Sequence, residues 1–156
     1  MGIENHQLSQ ARRQKWVLPL SLGLLLVYLV PLAYAATEHG TAARYGYNTP
    51  YTPTRCYYED TTAFPANNLY AAAGEGIWNH GRACGKQYKV TCISAAAPNT
   101  CIPGTTITVK IVDRASTAVY HPSTTGTTLV LSTAAFNQLV KPFTATSINV
   151  QFEQVA

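Results

Sequence analysis

The sequence predicts a small all-β domain with one short helix or two, folded as a compact closed barrel and carried behind an export leader. Beyond residue 35 there is no long helical periodicity, and Thr, Val, Ile and Tyr fall in short runs broken by Gly, Pro and Asn, the composition of strands and turns. The runs number about six, and a small domain with that many short strands must manage its exposed edges, which closure does. All four cysteines, Cys56, Cys84, Cys92 and Cys101, lie in this region, where cross-links supplement a modest core.

Met1 to Lys15 is polar, with Arg12, Arg13 and Lys15, and Trp16 to Tyr34 follows without a charge. That order, ending in Ala33-Tyr34-Ala35 with small residues where a signal peptidase reads, is that of a secretory signal peptide cleaved after Ala35 or Ala36. The apolar run is near the roughly 20 residues that a retained anchor needs. Against an anchor stand Pro19, Pro31 and the lack of a basic stop-transfer patch. The expected organisation is a signal peptide over 1–35 and a single domain over 36–156, with no membrane association after cleavage. Eight Lys and Arg against six Asp and Glu leave that domain at +2, too little to argue for nucleic acid.

Gly40 to Tyr47 reads as a first strand, and the Pro-punctuated loop Asn48-Thr49-Pro50-Tyr51-Thr52-Pro53 interrupts pairing after it. Leu69 to Ala73 is a small-residue run suited to a buried strand. Gly74-Glu75-Gly76 then leads into Ile77-Trp78, one helical turn closing at Gly81, with Trp78 expected in the core rather than as a ligand platform. Gln87 to Ile93 and Thr105 to Asp113 are the clearest strands. In the second, Ile107, Val109 and Ile111 share one face, Thr108 and Lys110 point to solvent, and Val112 breaks the alternation. Thr128 to Leu131 is a further strand, after which Ser132 caps a helix running through Val140 and stopped by Pro142, with Ala135, Phe136, Leu139 and Val140 as its apolar stripe. Ser147 to Phe152 alternates Ile148, Val150 and Phe152 and returns to the sheet.

In an exported chain four cysteines imply two disulfides, with three connectivities open. A zinc site is disfavoured, because there is no Cys-x-x-Cys and no histidine pair; His39, His80 and His121 are given no role. Nucleotide loops, hydrolase elbows and Asn-x-Ser/Thr sequons are absent. No cofactor and no metal are expected.

Several phrases in order resemble a known family. Gly40-Thr41-Ala42 with Tyr45, Pro50-Tyr51-Thr52-Pro53 running to Cys56-Tyr57, Ala71-Ala72-Ala73 before Ile77-Trp78, Ala83-Cys84-Gly85, Tyr88-Lys89-Val90-Thr91-Cys92, Ile111-Val112-Asp113, Leu131-Ser132 and Ala135-Phe136 look like the expansin-like, family-45-endoglucanase-like domain. In pattern the chain is most similar to the plant natriuretic peptide and blight-associated type, over essentially all of 36–156. The resemblance implies a six-stranded double-psi β-barrel with Cys56 paired to Cys84 and Cys92 to Cys101. It also exposes departures. Relatives carry a Cys-Pro-x-x-Cys-like pair after the Val-Asp, where Arg114 to Pro122 holds no cysteine. They carry Leu-Asp-Leu-Ser or Phe-Asp-Leu-Ser, where this chain reads Leu129-Val130-Leu131-Ser132. Expansins proper add a second, aromatic-rich domain after the barrel, and this chain reaches Ala156 just after its last strand.

Glycoside hydrolysis of the usual kind needs two carboxyl groups across the scissile bond. The resemblance puts the second on Val130, which cannot titrate, and of Glu38, Glu59, Asp60, Glu75, Asp113 and Glu153 only Asp113 ends a strand beside the expected groove. No catalytic residue is therefore expected. Sugar rings pack on aromatic rings while polar edges take hydrogen bonds, and of ten tyrosines eight come after residue 35. Tyr45, Tyr47, Tyr57 and Tyr58, with Tyr51 beside them, are the candidate ligand surface, with Asp113 and Arg114 as polar contacts. The resemblance implies a secreted, apoplastic, monomeric protein acting on a cell-surface receptor in water, ion or stress signalling; the alternative is a cell-wall polysaccharide binder without hydrolysis.

Overall fold

The computed structural model describes residues 36–45, 52–115, 127–142 and 144–155. The expected signal segment, Tyr47, Tyr51, His121 and the cysteine-free run from Ser116 to Pro122 lie outside the described residues.

Six strands, β1 (Glu38–Arg44), β2 (Tyr70–Ala73), β3 (Gln87–Ser94), β4 (Thr106–Arg114), β5 (Leu129–Leu131) and β6 (Ser147–Gln154), close into a barrel in the order β1-β5-β2-β4-β3-β6. The pairs β1 with β5 and β2 with β4 are parallel, and the other four are antiparallel. The ring closes where the first and last strands meet, Ala42 opposite Ile148, so every strand has two partners and no edge is left to template aggregation. The first strand is displaced from its expected span. It starts earlier because Glu38 and His39 pair with Phe152 and Gln151, and it ends at Arg44, the Tyr45 N–H giving the last bond of the ladder to the Leu131 carbonyl at 3.0 Å.

The period-two patterns behave as the pleat requires. Val90 of β3, Ile107, Val109 and Ile111 of β4, and Ile148, Val150 and Phe152 of β6 are all buried in the main apolar cluster. Helix α1 (Glu75–Trp78) is the single turn expected, followed by a 3-10 turn over Asn79–Gly81. Helix α2 (Thr133–Leu139) begins at Ser132, whose Oγ accepts from the Ala135 N–H at 3.1 Å. It delivers Ala135, Phe136 and Leu139 to the main cluster. It ends one residue before the expected Val140, which is extended and bridges Cys101.

A second, smaller cluster of Tyr45, Tyr70, Ala72, Val112, Ala115 and Val130 lies apart from the first. In β2 the alternation is clear: Ala71 and Ala73 belong to the main cluster, Tyr70 and Ala72 to the second. Both faces of β2 are thus covered, which is why it reads as an unbroken apolar run rather than as an alternating one.

Cys56 is bonded to Cys84 across 28 residues of sequence and Cys92 to Cys101 across 9, the pairing the resemblance implied. Loop-closure entropy makes the longer bridge the more stabilising, about 3.5 against about 2.5 kcal/mol. Replacing Cys56 and Cys84 by Ser is therefore expected to lower the urea midpoint more than replacing Cys92 and Cys101; the reverse order would show that the unfolded chain is not the seat of the effect. Gly74 donates its N–H to the Thr128 carbonyl at 2.9 Å, and a Cβ there would collide with the Thr127 carbonyl oxygen, a backbone atom that cannot swing aside. Gly74→Ala is expected to cost about 1–3 kcal/mol by overpacking, measured in the same denaturation series.

Candidate functional site

Strict alternation from Ile111 would send Asp113 into the barrel interior. It does not, because β4 carries a bulge: Ala71 pairs with Ile111, but Ala72 pairs with Asp113, and Val112 is left over. A bulge places an extra residue in one strand and re-aims the side chains beyond it. Val112 and Asp113 therefore share the face of Ala72, toward the second cluster, while Arg114 falls opposite Ala73. This is the physical reason for the broken pattern at Val112.

Asp113 is 2% exposed. Its Oδ1 accepts from the Arg55 N–H at 2.8 Å and from the Arg114 N–H at 2.7 Å. Burial raises its carboxyl above the ordinary value; the two amide donors and the Arg55 charge offset this only in part. Arg55 belongs to the loop over residues 52–64, and that loop is fixed at two further points. Cys56 is bonded to Cys84, and Lys110 Nζ donates to the Ala63 carbonyl at 2.7 Å while lying 5.1 Å from the Tyr57 ring centroid, a cation–π contact. Lys110 is thus on the outer face, as alternation requires, but it is covered by the loop rather than free in solvent. Alternation reports a face and not what lies over it, so no sequence signal marked Lys110 as a brace.

The candidate tyrosines separate. Tyr45 is 3% exposed and meets Tyr70 edge-on at 5.9 Å, so its ring fills the second cluster and offers no face to a ligand. Tyr57 is half-buried against that cluster, its N–H donated to Thr54 Oγ1 at 3.1 Å. Tyr58 is 68% exposed. Its backbone is held at φ 52° by a closed pair of hydrogen bonds with Thr54, 2.8 and 2.9 Å. The loop therefore presents one exposed ring, that of Tyr58, on an anchored backbone, while the Tyr57 ring packs against the second cluster under Lys110.

Arg114 does not join Asp113 as a side-chain contact. The bulge turns it away, and its Nε donates to Glu75 Oε1 at 2.7 Å. That ion pair lies in a cavity of about 550 Å³ at one end of the barrel, also lined by Trp78, Arg82, Lys86 and Tyr88. Trp78 is half-buried and borders both the main cluster and this cavity, so it is only in part the core residue expected. No group of three or more metal-ligating side chains occurs among the described residues.

A carboxyl whose pKa is raised by folding binds more protons folded than unfolded. Its contribution is fullest below the unfolded value of 3.8 and is lost as pH rises through the folded value. Asp113→Asn keeps the acceptor oxygen and removes the buried charge, so its melting temperature is expected at or above wild type near neutral pH, the gap closing in acid. Asp113→Ala strands two amides and is expected to cost about 2 kcal/mol or more. Melts of both variants across the pH range check this; an Asn variant less stable than wild type at neutral pH would refute it.

Comparisons with known proteins agree with this architecture. The family model described as Lytic transglycolase matches residues 70–152. The chain is 36% identical over 130 residues to an EG45-like domain containing protein 1 of Arabidopsis thaliana, covering 82% of this chain and 90% of that one. It is 34% identical over 139 residues to an EG45-like domain containing protein of Citrus jambhiri, covering 86% and 94%. Among solved structures, the apo expansin of Clavibacter michiganensis matches with a TM-score of 0.53 and 25% identity, over 78% of this chain and 51% of that one. A mutant of that expansin in complex with cellohexaose matches with a TM-score of 0.53 and 26% identity over the same shares. The chain spans about half the length of these expansin chains. On the barrel, the bridges and these likenesses, it belongs to the expansin-like, EG45-like family of double-psi β-barrel domain proteins.

Proposed function

We propose that this protein is a secreted, extracellular module that binds cell-wall polysaccharide through the tyrosine face of loop 52–64 and does not hydrolyse it. The observation that carries the reading is Tyr58, a 68% exposed ring on a backbone closed against Thr54. An exposed phenol ring on an anchored backbone can stack on the C–H face of a pyranose while its hydroxyl meets the polar edge. The bound cellohexaose of the related expansin mutant supports a β-glucan as the polymer. The leader-like residues 1–35 and two disulfides support export.

Non-hydrolysis is supported by what surrounds Asp113. Ala72 pairs with Asp113 on one side and with Val130 on the other. Val130 therefore stands two ladder spacings from Asp113, roughly 10 Å, where an acid and base pair would need its second carboxyl. Val130 is fully buried and apolar, and neither β2, β3 nor β5 carries an acid. Asp113 in this reading holds a loop amide and transfers no proton.

The test uses oxidised protein from a secretory host expressing the full chain. Saturable binding to insoluble cellulose and to cellohexaose is expected, weakened about tenfold or more, near 1.4 kcal/mol, in Tyr58→Ala with the melting temperature preserved. Glucans and peptidoglycan incubated with the wild type are expected to release no product; release that disappears in Asp113→Asn would make the protein an enzyme. Absence of binding to every polymer would sink the wall reading in favour of the receptor-directed signalling role.

A further inference from the structure

The cavity at the barrel end shares no lining residue with the tyrosine face and has no part in the proposed glucan contact. Its volume of about 550 Å³ falls in the range of small-molecule sites, roughly 300–1,000 Å³. Tyr88 and Phe152, their ring centroids 6.2 Å apart, are nearly buried and form its apolar floor. Trp78 lines it as a third ring. Its indole packs against the main cluster, and Cζ2 lies 3.8 Å from where a Cβ on Gly81 would stand. That turn is unusual: Asn79, His80 and Gly81 take φ of 42°, 54° and 87° in succession. Left-handed conformations cost energy in non-glycine residues, and the turn is followed three residues on by Cys84, bonded to Cys56.

Charge decides what would enter. Of the three Arg and Lys on the rim, Arg114 is already paired with Glu75. Lys86 Nζ donates to a neutral partner, Gln154 Oε1 at 3.2 Å, and neither Lys86 nor the exposed Arg82 has an ion pair among the described residues. Glu38 is the remaining rim acid; its charge acts on the Tyr88 phenol and it makes no salt bridge with either cation among the described residues. Two available cations therefore face one acid, beside a half-buried indole. A bare anion would use the cations and waste the indole, and a neutral sugar would do the opposite.

We infer that this cavity is a second carbohydrate site that takes an acidic pyranose, a hexuronate unit, with the ring on Trp78 and the carboxylate between Arg82 and Lys86. Planar guanidinium and carboxylate groups match in a fork of parallel hydrogen bonds, and the aromatic face supplies the ring contact. The site does not depend on the glucan reading, since it contains neither Tyr57, Tyr58 nor Asp113.

Trp78 is the sole tryptophan after residue 35, so in secreted protein whose mass shows residues 1–35 removed its emission reports the site directly. Secreted, oxidised protein from the full chain is titrated with trigalacturonate, with cellohexaose and with sodium sulfate. Trigalacturonate is expected to change Trp78 emission saturably, with affinity falling about tenfold or more in Arg82→Gln/Lys86→Gln, both exposed positions, and unchanged in Tyr58→Ala. Sulfate reproducing the response at equal concentration would reduce the site to a simple anion contact and overturn the inference. Cellohexaose matching trigalacturonate in this readout, or the charge variant binding as wild type, would overturn it too. Thermal melts of each variant establish that a lost response is not lost folding.

Discussion

Between Ala71 and Ala72 the pairing of β2 with β4 advances by one residue on β4, and Val112 is left without a ladder partner. Because side chains alternate with a period of two, a one-residue slip exchanges the faces of everything after it. Asp113 is turned out of the barrel toward the second cluster, where its carboxylate takes the Arg55 amide and fixes loop 52–64. Arg114 is turned to the barrel end, where it meets Glu75. One bulge thus sets the places of two adjacent polar residues on two different surfaces. Without it the carboxylate would face the apolar main cluster, away from the Arg55 amide that now donates to it.

The loop that Asp113 holds is fixed by means of unequal strength. The Cys56–Cys84 bridge acts on the unfolded chain, and the Lys110 contacts with Ala63 and the Tyr57 ring are partly shielded from solvent. The surface ion pair Lys89–Glu153 joins β3 to β6 rather than the loop and, with side chains 53% and 32% exposed, is worth at most about 1 kcal/mol. The fold rests on the closed ring and its apolar filling, and the polar contacts decide where the loops lie.

The same disulfide joins the loop of Tyr57 and Tyr58 to the segment that ends the Trp78 turn. Two aromatic surfaces are therefore attached to one covalent tie, one neutral and open, the other recessed and lined with cations. On the two proposals above, a polymer of mixed neutral and acidic sugars would engage both surfaces, and neither would need a new segment ordered on binding.

The sequence by itself determined the barrel's strands, the Ser132 cap and the strand alternations, because each is a local matter of propensity or period that neighbouring residues decide. The two bridges were legible only through the likeness of several phrases to a known family, since spacing alone left three pairings open. Tyr58 could be named as a candidate from composition, but Tyr45 could not be told from it, because burial is a property of what packs above a ring. The bulge at Val112 showed in the sequence as a broken alternation whose cause was hidden. Which way Asp113 and Arg114 face, what covers Lys110, and the meeting of Trp78, Arg82 and Lys86 around one cavity were decided by tertiary structure alone. They depend on strand register and on loops distant in sequence, and no local pattern encodes a contact between residues that only the closed barrel brings together.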